Sequence, residues 1–294
     1  MPSCPRVLAW LALAGFGPTL AGGEVPVVVG SDLLGARFEA EVRAMALEAG
    51  GAVRFDLVGT RPGLGRLRAG EAAVGVFVLP PGEEPPADGL FSRVIAYQAA
   101  AVVVPAPAPL RQLTLDQVRG VFASGAEVNC TVWGDLGVAG EWRTRPIAVH
   151  AEAAEGGLAL PLLQRLVFAG APLKPTVLLA EDADQLAGRV RAGDNTVGLT
   201  CAVPAEGSGL RALALAASVT APAYAPTAAN LHDGSYPLRL PLYLCVRRTE
   251  AARLLPLLRI LLSEPAAEAL AAAHFQPLPV AARNQAIFEL EAVR

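Results

Sequence analysis

The nine residues GTRPGLGRL (59–67) combine three glycines with the hydroxyl of Thr60 and the guanidinium of Arg61, a set suited to holding an anion. Glycine-rich connections between a strand and a helix leave backbone N–H groups free to point inward, and the helix adds its positive dipole end. Any turn that needs φ > 0 selects the same residues. The stretch fails the nucleotide patterns, because Gly65 is followed by Arg66 and Leu67, and Arg68 stands where a third glycine is needed after Gly63-x-Gly65. It is expected to be a loop leading into a short helix, GRLRAG.

Catalytic and metal chemistry find little support. His150, Glu152 and Glu155 are the only compact titratable set, with no nucleophile beside them, so no enzyme activity is expected. His150, His232 and His274 are far apart, with neither HExxH nor CxxC in the chain, and no metal or cofactor is indicated. Beyond the first 23 residues lie Cys130, Cys201 and Cys245, an odd count that leaves at least one thiol over. Cys130 with Cys201 is one pairing; small buried residues within strands is the other reading.

Composition narrows the partners. A chain of 294 residues with 53% hydrophobic content can bury one large core or two medium ones. Its 24 basic and 27 acidic residues give a formal charge of −3 with no basic block, so nucleic acid is not an expected partner. Residues 1–23 carry one positive charge at Arg6, an apolar run from Val7 to Phe16, then Pro18 and small residues, which is the pattern of a secretory signal. That run is shorter than the roughly 20 residues needed to span a bilayer. Export with processing near Ala21 to Gly23 is expected.

Two units must position these loops. VPVVVGSDLL, ARFEAEVRAMALEAG, VRFDLVG, GRLRAG and AAVGVFVLP read as strand, helix, strand, helix, strand, the order of a mostly parallel sheet flanked by helices. A second unit opens at LTLDQVRGVFASG, where Thr114 and Gln117 form a capping box. Two long extended runs, FSRVIAYQAAAVVVP and SYPLRLPLYLCVRR, bracket it. The expectation is an α/β protein of two lobes, residues 24–102 with 241–294 and residues 103–240, with Val102–Pro105 beside Leu240–Leu244 as hinge strands. Ligands of open α/β sheets bind beyond the carboxyl ends of strands, which selects the loops at Gly30, Gly59 and 150–157.

The order GSDLL, LRAGEAAVGV, LTLDQVRGVFASG with VWGDLG, NTVGLT and SYPLRLPLYLCV resembles the phosphate-binding proteins of ABC phosphate transporters, a branch of the type 2 periplasmic binding proteins. The resemblance covers nearly the whole chain after residue 23. It implies a periplasmic, monomeric solute-binding protein that takes a phosphate-like anion and serves a membrane ABC transporter. By this resemblance Ser31, Asp32 and Leu33 belong to the first ligand loop, Gly59, Thr60 and Arg61 to the second, and His150, Glu155, Gly156 and Gly157 to the third.

Departures from the family pattern are concentrated at those loops. Ala73 stands at the place of an Asp, Leu79-Pro80 at that of a Ser-Arg pair, and His150 with Glu155-Gly156-Gly157 at that of Arg with Ser-Gly-Thr. A binding-protein scaffold or sensor without phosphate binding is therefore the alternative. On this alignment Glu155 repels the anion, and Glu155→Ser with Gly157→Thr should tighten phosphate binding.

Overall fold

The computed structural model describes residues 24–155 and 157–293. The expected export segment and Gly156 lie outside the described residues. In chain order the first elements are β1 (Val27–Gly30), α1 (Gly35–Glu48), β2 (Arg54–Asp56), α2 (Thr60–Ala69), β3 (Val74–Val78) and β4 (Leu90–Ala99). The chain continues through β5 (Ala101–Pro105), β6 (Gln112–Thr114), α3 (Leu115–Phe122), β7 (Ala148–Glu152), α4 (Ala159–Leu166), β8 (Leu178–Ala180), α5 (Ala183–Ala192) and β9 (Thr196–Thr200). It closes with β10 (Leu210–Ala212), β11 (Ala214–Ala216), β12 (Ala223–Tyr224), α6 (Ala228–Asp233), β13 (Arg239–Arg247), α7 (Arg248–Leu261), α8 (Glu264–Ala272), β14 (Phe275–Pro277) and α9 (Val280–Glu291).

Each of two lobes is built on its own sheet, the first in the order β14-β4-β13-β3-β1-β2 and the second β10-β5-β9-β7-β8, with a small sheet β12-β11-β6 at the side. Pairing is parallel where strands alternate with helices, in β2-β1-β3 and in β8-β7-β9. It is antiparallel at β4, β13 and β5, the strands next to the crossings between lobes. Three of the strands in these parallel pairs, Val27–Gly30, Val74–Val78 and Thr196–Thr200, are buried along their whole length. Strands covered on both faces read as mostly apolar runs. The Thr114–Gln117 capping box forms as expected, with the Gln117 amide donating to Thr114 Oγ1 at 3.2 Å and the Thr114 amide donating to Gln117 Oε1 at 3.0 Å.

The crossings come together at a different place from the one expected. Leu240 and Leu242 pair with Gln98 and Ala96 of β4, whereas Val102 and Val103 pair with Leu199 and Gly198 of β9. Val102–Pro105 and Leu240–Leu244 are therefore not partners, because the long extended run changes sheets at Ala100. There the Ala100 amide donates to the Leu238 carbonyl at 2.9 Å, and the Tyr236 hydroxyl donates to the Ala100 carbonyl at 2.8 Å. Tyr236 is wholly buried, so both bonds are made away from water.

Candidate functional site

The lobes face each other across a cleft of about 300 Å³. Its first wall is made where β1 and β2 hand over to helices. Gly30 (φ +156°) ends β1 so close to β3 that a Cβ there would lie 1.9 Å from the Val76 carbonyl oxygen. Ser31 follows, almost fully buried at 3% exposure, its amide donating to Val76 O at 2.9 Å and its Oγ accepting from the Leu33 amide at 3.3 Å. Among the described residues the Ser31 hydroxyl proton meets no acceptor, so it is free to donate into the cleft that Ser31 lines.

The glycine-rich stretch turns out to be helical from Thr60, one full turn earlier than its glycines and proline suggest. Gly59 enters the helix at φ +96°, and its amide donates to the Gly30 carbonyl at 2.9 Å, which joins the first two loops. Pro62 is tolerated because the first turn has no intrahelical acceptor for its missing N–H. Gly63 is buried against β1, where a Cβ would stand 3.1 Å from the Gly30 amide nitrogen. Gly59 and Gly63 thus serve turn geometry and close packing. The anion-directed feature that remains is the N-terminus of α2; Thr60, which starts it, lines the cleft with its Oγ1 donating to Val78 O at 2.9 Å.

Of the ten residues expected at the site, Ser31, Asp32, Leu33 and Thr60 line this cleft. Gly59 stands behind them. Arg61 does not line it: its side chain is 86% exposed and lies 3.7 Å from Glu83 on the surface. The cation on the cleft is Arg165, near the end of α4, whose Nη2 reaches the Pro81 carbonyl of the other lobe at 3.5 Å. Its sequence signal was available. Leu158, Pro161, Leu162 and Arg165 follow the i, i+3, i+4, i+7 spacing of one helix face, and all four line the cleft.

The third loop departs most from expectation. His150 sits within β7, registered against Leu178 and Gly198, and is not among the residues that line the cleft. Desolvation and the Arg189 charge both push its pKa below the ordinary 6.5, and its buried Nδ1 has no partner among the described residues. Glu155 is exposed on the turn before α4 and is absent from the cleft walls. Gly157 is buried, and a Cβ on it would lie 2.9 Å from Cys201 Sγ and 3.1 Å from Glu152 Oε1. There is no room for the threonine that the family loop would place there.

Cys201 and Glu152 explain that crowding. Glu152, 1% exposed, accepts from Thr200 Oγ1 at 2.8 Å and from the Cys201 amide at 2.9 Å, tying the end of β7 to the end of β9. The Leu158 and Ala159 amides at the start of α4 act on the Cys201 thiol, although burial and Glu152 still push its pKa up to about 12. All three described cysteines are free and buried, so Cys130 and Cys201 are unpaired. No group of three or more His, Cys, Asp or Glu among the described residues is placed to hold a metal ion.

Two lobes, each a mixed sheet with helices, joined at paired crossings around a cleft, define a periplasmic-binding-protein fold. The chain belongs to the PBP superfamily, whose domain model matches residues 40–272. It is similar to the phosphate-binding protein PstS of two Pseudomonas aeruginosa strains, 25% identical over 204 residues, a match that covers 67% of this chain and 62% of that protein. The match therefore spans less than two thirds of those relatives' length. Among solved structures, a possible phosphate binding protein from Planctomyces limnophilus superposes with a TM-score of 0.68 at 17% identity, covering 92% of this chain and 98% of that one. An ABC-type phosphate transport receptor from Vibrio cholerae gives 0.68 at 19% identity, covering 87% of this chain and all (100%) of that one. No helix among the described residues is long and apolar enough to cross a membrane.

Proposed function

We propose that this chain is an exported solute-binding protein that closes two lobes on a small oxyanion, with phosphate as the reference ligand, and delivers it to a membrane ABC transporter. The observation that carries the reading is the convergence on one cleft of the Ser31 hydroxyl, the Thr60-led N-terminus of α2 and the Arg165 guanidinium. Donors of these three kinds are what an oxyanion needs, and each charge-assisted bond is worth roughly 1.5 to 3 kcal/mol. The similarity to PstS supports phosphate as the anion and a transporter as the partner.

The reading includes no catalytic step. The lobes are proposed as residues 24–102 with 241–294 and residues 103–240, supported by the change of sheet at Ala100, and closure is a hinge motion about the two crossings. The protein acts in the periplasm as a monomer.

Thermal unfolding with and without orthophosphate tests the function. A ligand that binds only the folded form at about 100 times its Kd adds about 2.7 kcal/mol. For a chain of this size that raises the midpoint by roughly 5 °C or more. An unchanged midpoint at millimolar phosphate would contradict the proposal and leave the scaffold reading in its place.

A further inference from the structure

The two walls of the cleft differ in chemistry. Lobe one presents the Ser31 hydroxyl and the start of α2, whereas the α4 face opposite is Leu158, Pro161 and Leu162, with Arg165 alone at its far end. Pro161, in the first turn of α4, has no N–H to give. Val78 and Leu240 extend the hydrocarbon surface on the other side. A bare tetrahedral anion seated here would meet the Ser31 and α2 donors on a wall that Asp32 also lines, and hydrocarbon over most of the rest, leaving oxygens desolvated without partners.

We infer that the cleft prefers an organic oxyanion, a phosphonate or phosphate monoester with a short apolar substituent, over bare orthophosphate. This rests on the oxyanion reading above and specifies its substrate class. The charged head takes the Ser31 hydroxyl, the α2 N-terminus and Arg165, and the substituent lies on Leu158, Pro161 and Leu162. A volume of about 300 Å³ leaves space for several carbons beside the head, whereas a water fills only about 30 Å³ of liquid.

Calorimetric titration of the full chain with orthophosphate, methylphosphonate and n-propylphosphonate tests this. Each buried methylene contributes roughly fourfold in affinity, so propylphosphonate, with two more, should bind about 15-fold tighter than methylphosphonate, and both tighter than orthophosphate. Leu158→Asn, at a half-buried position at the start of α4, should narrow the propyl-to-methyl affinity ratio. Tighter binding of orthophosphate than of either phosphonate overturns this inference and leaves the oxyanion reading intact. Binding of none of the three overturns both. Should the variant fail to fold, the wild-type series decides alone.

Discussion

The amide of Gly59 donates to the carbonyl of Gly30 at 2.9 Å, so the loops that end β1 and β2 are one unit. Behind that bond Gly63 packs closely against Gly30, and Gly30 presses so hard against Val76 that it has no space for a side chain. Gly30→Ala should therefore cost on the order of 3 kcal/mol, combining overpacking with an unfavourable φ. Urea denaturation measures it. A variant within about 0.5 kcal/mol of wild type would mean that the two strand ends relax apart freely.

Arginine choice separates the structural account of the site from the linear one. Arg165→Ala should weaken orthophosphate binding about tenfold or more, the loss of at least one charge-assisted bond. Arg61→Ala should leave affinity within twofold, since its side chain is exposed on the surface beside Glu83. The opposite pattern in titrations of the two variants would return the site to the surface of α2.

A third pair of substitutions bears on the loop before α4. Glu155→Ser should change phosphate affinity little, because Glu155 is exposed away from the cleft walls. Gly157→Thr should lower stability by about 1–3 kcal/mol, since its side chain must displace Cys201 Sγ and Glu152 Oε1. Tightened binding by the double variant, with unchanged stability, would show that this loop lies otherwise.

Local signals in the sequence translated well into structure. The buried strands are apolar runs, the α3 start is a capping box contained within four residues, and Ser31 and Thr60 follow strand ends where cleft loops belong. Facing was harder to read. His150 and Arg61 match the expected chemistry, but strand alternation and helix phase keep His150 off the cleft walls and send Arg61 to solvent. Arg165 was legible as a helix residue, yet only the packing of α4 across the cleft turns that face toward the site. The depth of Gly157 depends on Cys201, far along the chain, which no local pattern reveals.

His150 gives a pH signature. Its folded pKa is lowered below 6.5 by desolvation and by Arg189. Between the folded value and 6.5 the unfolded chain binds the extra proton, so the stability tied to this group is present above 6.5 and lost as pH falls below it. His150→Gln should flatten the fall of the thermal midpoint between about pH 7 and 5. Parallel curves for wild type and variant would contradict a half-buried imidazole held neutral.

The central claim is that the cleft between the lobes holds an oxyanion, and a crystal structure of the chain grown with orthophosphate tests it most directly. The account predicts tetrahedral density between the lobes, within hydrogen-bond distance of Ser31 Oγ and the amides at the start of α2, with Arg165 turned onto it. A closed or open cleft empty of anion at saturating phosphate, or an anion bound only on the outer surface, would contradict it.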